Sequence, residues 1–314
     1  MAAITRSSFS SLGGLFCKLS LRQSLKNTRI AVCQYTSDSK ETESLTKVTE
    51  ENGIRTICLN NPKKRNALSL KMLETLWQDL SKKSKDLRVI ILTANGPVFS
   101  SGHDLKELTA KEGRHYHEKV FASCTYVMSL LQEMTVPVIA EVYGLATAAG
   151  CQLVASCDIA VASDKAQFAT PGVNVGLFCS TPGVALGRSV PRKIAMEMLF
   201  TGKPISAQDA LLHGLVSKVL PEDQVHEETM KIAKKICETS KSVVALGKTS
   251  FHEQMKLERR EAYRLTEAIM ANNLQLIDGQ EGIQSFIEKR TPTWTHTMKT
   301  IPAPPVSKKE DLDD

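Results

Sequence analysis

EVYGLATAAGCQLVASCDIAVASDKAQFATPGVNVG, residues 141–176, is the stretch on which the fold of this chain turns. An apolar strand pattern over 137–142 runs into a turn of small residues at 144–150, then into a helix that ends near Ser156. A short apolar strand follows at 159–162, and 167–176 reads as a strand or loop interrupted by Pro171. Small side chains at a strand-to-helix junction leave backbone N–H groups uncovered where the helix dipole is positive, which suits a developing oxyanion. The same Ala148, Ala149 and Gly150 also suit a close approach of strand and helix, so this stretch alone leaves both roles open.

Upstream, KVTEENGIRTICLN (47–60) predicts a hairpin turning at Asn52-Gly53, and 61–68 a polar, basic loop. Ser69 caps a helix with Leu70, Leu73, Trp77 and Leu80 on one face. RVIILTA (88–94) predicts a buried strand. The loop FSSGHDLKEL (99–108), where Gly102 is free to take a positive φ, precedes a helical region near 112–133. From Arg192 the pattern is mostly helical, over 193–201, 206–213, 224–238, 241–273 and 279–288. Strands alternating with helices give an α/β core, and there are no internal repeats. The Pro-rich, then charged segment from Thr291 is expected to be disordered.

With 314 residues, 42% of them hydrophobic and 24% charged, the chain is long enough for a substantial core in one large domain or two. Its formal charge of +6 is concentrated at the front: Arg6, Lys18, Arg22, Lys26 and Arg29 precede the first acid, Asp38. Without those five the remainder is nearly neutral, which argues against a nucleic-acid-binding surface. A basic, Ser-rich, acid-free start with interleaved Leu and Phe predicts a mitochondrial transit peptide over about 1–37, against the alternative of a plain disordered tail. No apolar run approaches the roughly 18 residues of a membrane span. Eight scattered cysteines form no close pairs of the zinc-site kind and read as free thiols in a reducing compartment.

The motifs NNPKKRNALS (60–69), FSSGHDLKEL (99–108), 137–176, TGKPISAQDALLHGLVSKVL (201–220) and FIEKRTPTW (286–294) stand in an order that resembles the crotonase (enoyl-CoA hydratase/isomerase) superfamily over roughly 48–295. The resemblance implies an α/β fold: a spiral ββα core over 48–200, then a helical trimerisation region over 201–295 that builds trimers or hexamers, with 296–314 a disordered tail. It implies an acyl-CoA or enoyl-CoA thioester as ligand, no further cofactor and no metal, the mitochondrial matrix, and a place in fatty-acid or lipid metabolism. Its two oxyanion N–H groups fall on the backbones of His103 and Ala149, with the His103 ring directed outward. Its CoA contacts fall on Lys63, Lys64, Ala67, Ser101, His103, Leu105 and Lys289.

The departures matter as much. Two glutamates that serve hydratases of the family are replaced by Gln152, in G-C-Q-L, and Gly172, in T-P-G. An amide has no titratable proton and glycine no side chain, and losing a general acid or base costs about 10²–10⁴-fold. Asp104 and Asp158 read as structural, Asn174 cannot act as a base, and Cys179 reads as core or lining. Three functions stay open: a binding or regulatory module for acyl-CoA, an enzyme using the oxyanion pair for hydrolysis, decarboxylation or isomerisation, and a structural subunit mixing with catalytic relatives.

Overall fold

A computed structural model of the chain describes residues 44–302. The expected leader at 1–37 and the last part of the expected tail, 303–314, lie outside the described residues. The strands are β1 (Thr46–Glu51), β2 (Ile54–Leu59), β3 (Val89–Ala94), β4 (Val98–Ser100), β5 (Val138–Val142), β6 (Leu145–Thr147), β7 (Ile159–Ser163), β8 (Gln167–Ala169), β9 (Ile205–Ser206) and β10 (Lys218–Leu220). The helices are α1 (Leu70–Ser81), α2 (Gly113–Glu133), α3 (Ala149–Ser156), α4 (Ser180–Ser189), α5 (Arg192–Thr201), α6 (Ala207–Leu212), α7 (Val225–Cys237), α8 (Lys241–Gln254), α9 (Arg259–Asn273) and α10 (Ile277–Glu288).

Six strands form one sheet in the order β1-β2-β3-β5-β7-β10, and four short ones a second in the order β4-β6-β8-β9. The chain lays β3 in the first sheet and β4 in the second before α2, then β5 and β6 before α3, then β7 and β8 before α4. That repeat is the expected ββα spiral. β1 and β2 pair antiparallel through a two-residue turn in which Asn52 and Gly53 both take positive φ, as a type I′ hairpin requires. β2, β3, β5, β7 and β10 run parallel. The largely apolar runs of β3, β5 and β7 follow from burial on both faces. Ile57, Ile90, Leu92, Val138, Ala140 and Val142 join the main core with α1, α2 and α3, while Ile54, Val89, Ile91, Ile139 and Val161 meet Val225 and Ala233 of α7.

Three sequence expectations change. Trp77 is not on the buried face of α1: it is 48% exposed, because the buried stripe runs through Met72, Leu73, Leu76 and Leu80. The expected helix at 241–273 is two, α8 and α9, broken at 255–258. α4 accommodates Pro182 because it sits in the first turn, where the missing N–H costs nothing. The start of the expected disordered tail is tied down instead. Asp278 accepts hydrogen bonds from the backbone N–H groups of Thr295 and His296 at 2.7 and 2.9 Å, and Ile301 N–H reaches the Gln275 carbonyl at 2.8 Å.

Candidate functional site

The first loop and the 99–108 loop are joined by a ladder of hydrogen bonds. Ser101 N–H donates to the Arg65 carbonyl at 3.0 Å, and Leu68 N–H to the Gly102 carbonyl at 2.8 Å. Ser100 Oγ donates to the Asn66 carbonyl at 2.8 Å. Asn66 organises this junction. It is fully buried with a positive φ, its amide bonds the Asn95 and Val98 carbonyls, and its Oδ1 accepts from Asn61 N–H. Asparagine tolerates that left-handed backbone, and the only sequence signal for the role is its place in NALS.

Gly102 then brings this loop onto the start of α3. Its φ is +81°, and a Cβ at that position would lie 2.8 Å from Ala148 Cβ and 3.2 Å from Ala149 N. The two turns therefore touch where His103 follows Gly102 and where α3 begins. Ala149 is the first residue of α3, so its N–H has no intrahelical acceptor. Among the described residues, neither the His103 nor the Ala149 N–H has a protein acceptor. Ala148, just before, holds φ 49° and ψ −118°, a strained backbone for a residue with a Cβ, and donates to the Ala169 carbonyl at 2.9 Å. The close-approach role also holds: a Cβ on Gly150 would meet Ser100 O at 2.5 Å.

Gln152 lies one turn into α3, on the face of Ala148 and Ala149, and helical side chains lean toward the N-terminus, over that turn. It is 6% exposed, and its Oε1 has no hydrogen-bond partner among the described residues. Thr170, the threonine of the T-P-G motif, is fully buried, and its hydroxyl has no hydrogen-bond partner among the described residues. Gly172 is the second residue of a 3₁₀ turn, Pro171–Val175, with Leu177 and Cys179 folded against it. Burial pushes the Cys179 thiol up and the Cys151 thiol up to about 12, which makes both poor nucleophiles.

The His103 ring is not directed outward. Its Nδ1 lies 3.2 Å from the Leu68 carbonyl, it meets the Phe121 ring at a centroid distance of 5.2 Å, and its Nε2 is buried with no partner among the described residues. Of the other expected contacts, Lys63 and Lys64 sit exposed on the short helix Pro62–Lys64, and Lys64 pairs with Asp104 at 3.5 Å. Ala67 is buried, Ser101 half-buried and Leu105 exposed. Lys289 caps α10 at an exposed position, and among the described residues no hydrogen bond or ion pair links it to these loops. Asp158 is structural: it accepts from Val138 N–H and Lys248 Nζ, both at 2.7 Å. Two surface clefts of about 410 and 450 Å³, under α7 and between α8 and α9, involve none of these residues.

A ββα spiral with two uncovered backbone N–H groups at adjoining turns marks a fold class, and the chain belongs to the enoyl-CoA hydratase/isomerase family, which it matches over residues 49–297. Among its relatives, enoyl-CoA hydratase domain-containing protein 3, mitochondrial, of Xenopus laevis is 66% identical over 255 residues, covering 81% of this chain and 87% of that one. The crystal structure of human enoyl coenzyme A hydratase domain-containing protein 3 is 63% identical with a TM-score of 0.79, over 80% of this chain and all of that one. A Mycobacterium smegmatis enoyl-CoA hydratase structure is 46% identical with a TM-score of 0.78, over 81% of this chain and all of that one.

Proposed function

We propose that this chain binds a fatty acyl- or enoyl-CoA thioester in the mitochondrial matrix, as part of lipid metabolism, and does not hydrate enoyl-CoA in the usual way. The observation that supports this reading best is the contact of Gly102 with Ala148 and Ala149, which joins the turn that carries His103 to the turn that carries Ala149. Backbone donors survive substitution of their side chains, so a thioester oxygen is held whatever residues 103 and 149 are. The chemistry does not survive in the same way: Gln152 offers an amide and Gly172 nothing, each a loss of about 10²–10⁴-fold in acid–base assistance. Lys63 and Lys64, beside the first loop, and Lys289 supply cations for the CoA phosphates, and the thioester needs no further cofactor.

The mitochondrial part rests on the acid-free basic leader and on relatives that carry that location in their names. Self-association as a trimer or hexamer is supported by α9, which buries no residue within its own chain and leaves Tyr263 and Met270 exposed. Calorimetry with butyryl-CoA and crotonyl-CoA, run beside a hydration assay, tests the reading. Submillimolar binding with crotonyl-CoA left intact is the expected result; hydration at ordinary hydratase rates overturns it.

A further inference from the structure

We propose that His103 Nε2 is a general base that removes a proton from the carbon beside the thioester carbonyl, a role that rests on the thioester reading above. A carbonyl oxygen only accepts, so the 3.2 Å contact with Leu68 O puts the ring proton on Nδ1 and leaves the lone pair on Nε2. Leu68 is held in turn by its own N–H bond to Gly102 O, so the ring and the turn it belongs to are fixed together. An imidazole anchored through Nδ1–H, with Nε2 free, is the arrangement of a base poised to take a proton. Nε2 is buried and meets no donor among the described residues, which a group serving only to pack would not require. Phe121, 38% exposed on α2, packs against the ring in a T-shaped contact with centroids 5.2 Å apart.

The surroundings favour the basic form. Burial lowers the His103 pKa from its ordinary value. Among the described residues no carboxylate opposes this: Asp104 is engaged by Lys106 N–H and Lys64, and Glu107 by Leu70 N–H and Tyr116. His117 of α2 is bonded to the Thr109 carbonyl. Gln152 and Gly172 have no proton to exchange and the Cys151 and Cys179 thiols are pushed up, which leaves His103 as the base beside the oxyanion turn. The same residue then offers Nε2 to the α-proton and its backbone N–H to the carbonyl oxygen. Nε2 takes the proton, the C–H electron pair moves into the Cα–carbonyl bond, and the carbonyl pair moves onto the oxygen held by the two N–H groups.

The probe is 3-chloropropionyl-CoA. Loss of its α-proton to Nε2 forms the Cα–Cβ double bond and breaks the C–Cl bond, giving acryloyl-CoA, chloride and a proton on His103. The step is irreversible, so return of the proton cannot hide it. The ultraviolet absorbance of the conjugated thioester is followed on the full chain, with butyryl-CoA affinity measured in parallel. His103→Asn keeps the backbone N–H and places an amide donor near the Nδ1 position, but has no base. Elimination is expected to fall by about 100-fold or more in this variant, far more than any accompanying change in butyryl-CoA affinity. Equal elimination by His103→Asn, or none by the wild type although butyryl-CoA binds, overturns the proposal. Failure of butyryl-CoA to bind overturns the thioester reading itself. If the variant does not fold, the wild-type pH profile decides: the rate must rise through one ionisation below the ordinary histidine value, and a rate still climbing at alkaline pH overturns the assignment.

Discussion

Cys179 stands so close to Gly172 that a Cβ on the glycine would lie 2.7 Å from its Sγ, and equally 2.7 Å from the Leu177 carbonyl oxygen. Leu177 N–H closes the turn onto the Gly172 carbonyl at 2.9 Å, so the obstacle is backbone and not a rotatable side chain. Gly172→Ala is therefore expected to destabilise the chain by about 1–3 kcal/mol, read as a lower urea midpoint. The double variant Gln152→Glu/Gly172→Glu is expected to gain no hydratase activity, because a glutamate at 172 must first displace 177–179. A Gly172→Ala chain as stable as the wild type would contradict this.

Much of the fold was legible because its signals are local. Asn52-Gly53 names its own turn, Ser69 its own helix start, and the run in β3 its burial on both faces. The strands of the second sheet have two or three residues each, too few to show a period. The break between α8 and α9 falls in MKLE, without glycine or proline; α8 is held in the core by Lys248, whereas α9 buries nothing. At the site, the family resemblance pointed to the two N–H groups where the small residues alone left their role open, and Ala148 carries no mark of its positive φ. The direction of the His103 ring was illegible because it is set by Leu68, 35 residues away, and by Phe121 on another element. The tail from Thr291 looks disordered by composition until a buried Asp278 supplies its anchor.

Ala148→Gly is expected to stabilise the protein. Holding a residue with a Cβ at φ 49°, ψ −118° costs about 1–3 kcal/mol, and glycine adopts that backbone freely at an entropic cost of about 0.5–1 kcal/mol. The balance is a gain of about 1 kcal/mol in urea unfolding. Ala148→Val, stiff at χ1 on the same backbone, is expected to lose more than the glycine variant gains. A destabilised Ala148→Gly chain would mean that the turn is not strained.

Asp278 gives the fold an acid-sensitive joint. Burial alone would raise its pKa, but hydrogen bonds from Ser240, Thr295 and His296 overcome that and hold it at about 2, below the ordinary 3.8. A carboxylate with a depressed native pKa contributes stability that is complete above the unfolded value and disappears as pH falls through the native one. The contribution is about 2 kcal/mol at neutral pH. The stability difference between wild type and Asp278→Asn should be constant above about pH 5 and shrink toward about pH 2. Chemical denaturation across that range measures it; a difference independent of pH would remove the carboxylate from the account.

Lys248 and Asp158 fasten the C-terminal helices to the spiral core. Lys248 Nζ on α8 donates to the Leu131 carbonyl at 2.7 Å, to the Val136 carbonyl at 3.0 Å and to Asp158 Oδ2 at 2.7 Å, which uses all three of its protons. The lysine is 9% exposed, and burial lowers its pKa while Asp158 works in the other direction. Lys248→Met keeps the stem but strands Asp158 without its cation and leaves two carbonyls unpaired, at an expected cost of about 3–5 kcal/mol. Asp158→Asn strands the ammonium instead and also weakens the acceptor for Val138 N–H, so it should cost a similar amount. Once either charge is gone the other is a liability, so the double variant should lose about 1–3 kcal/mol less than the sum of the two single losses. Urea midpoints of the four chains close the cycle; strictly additive losses would show that the two residues hold the helices independently.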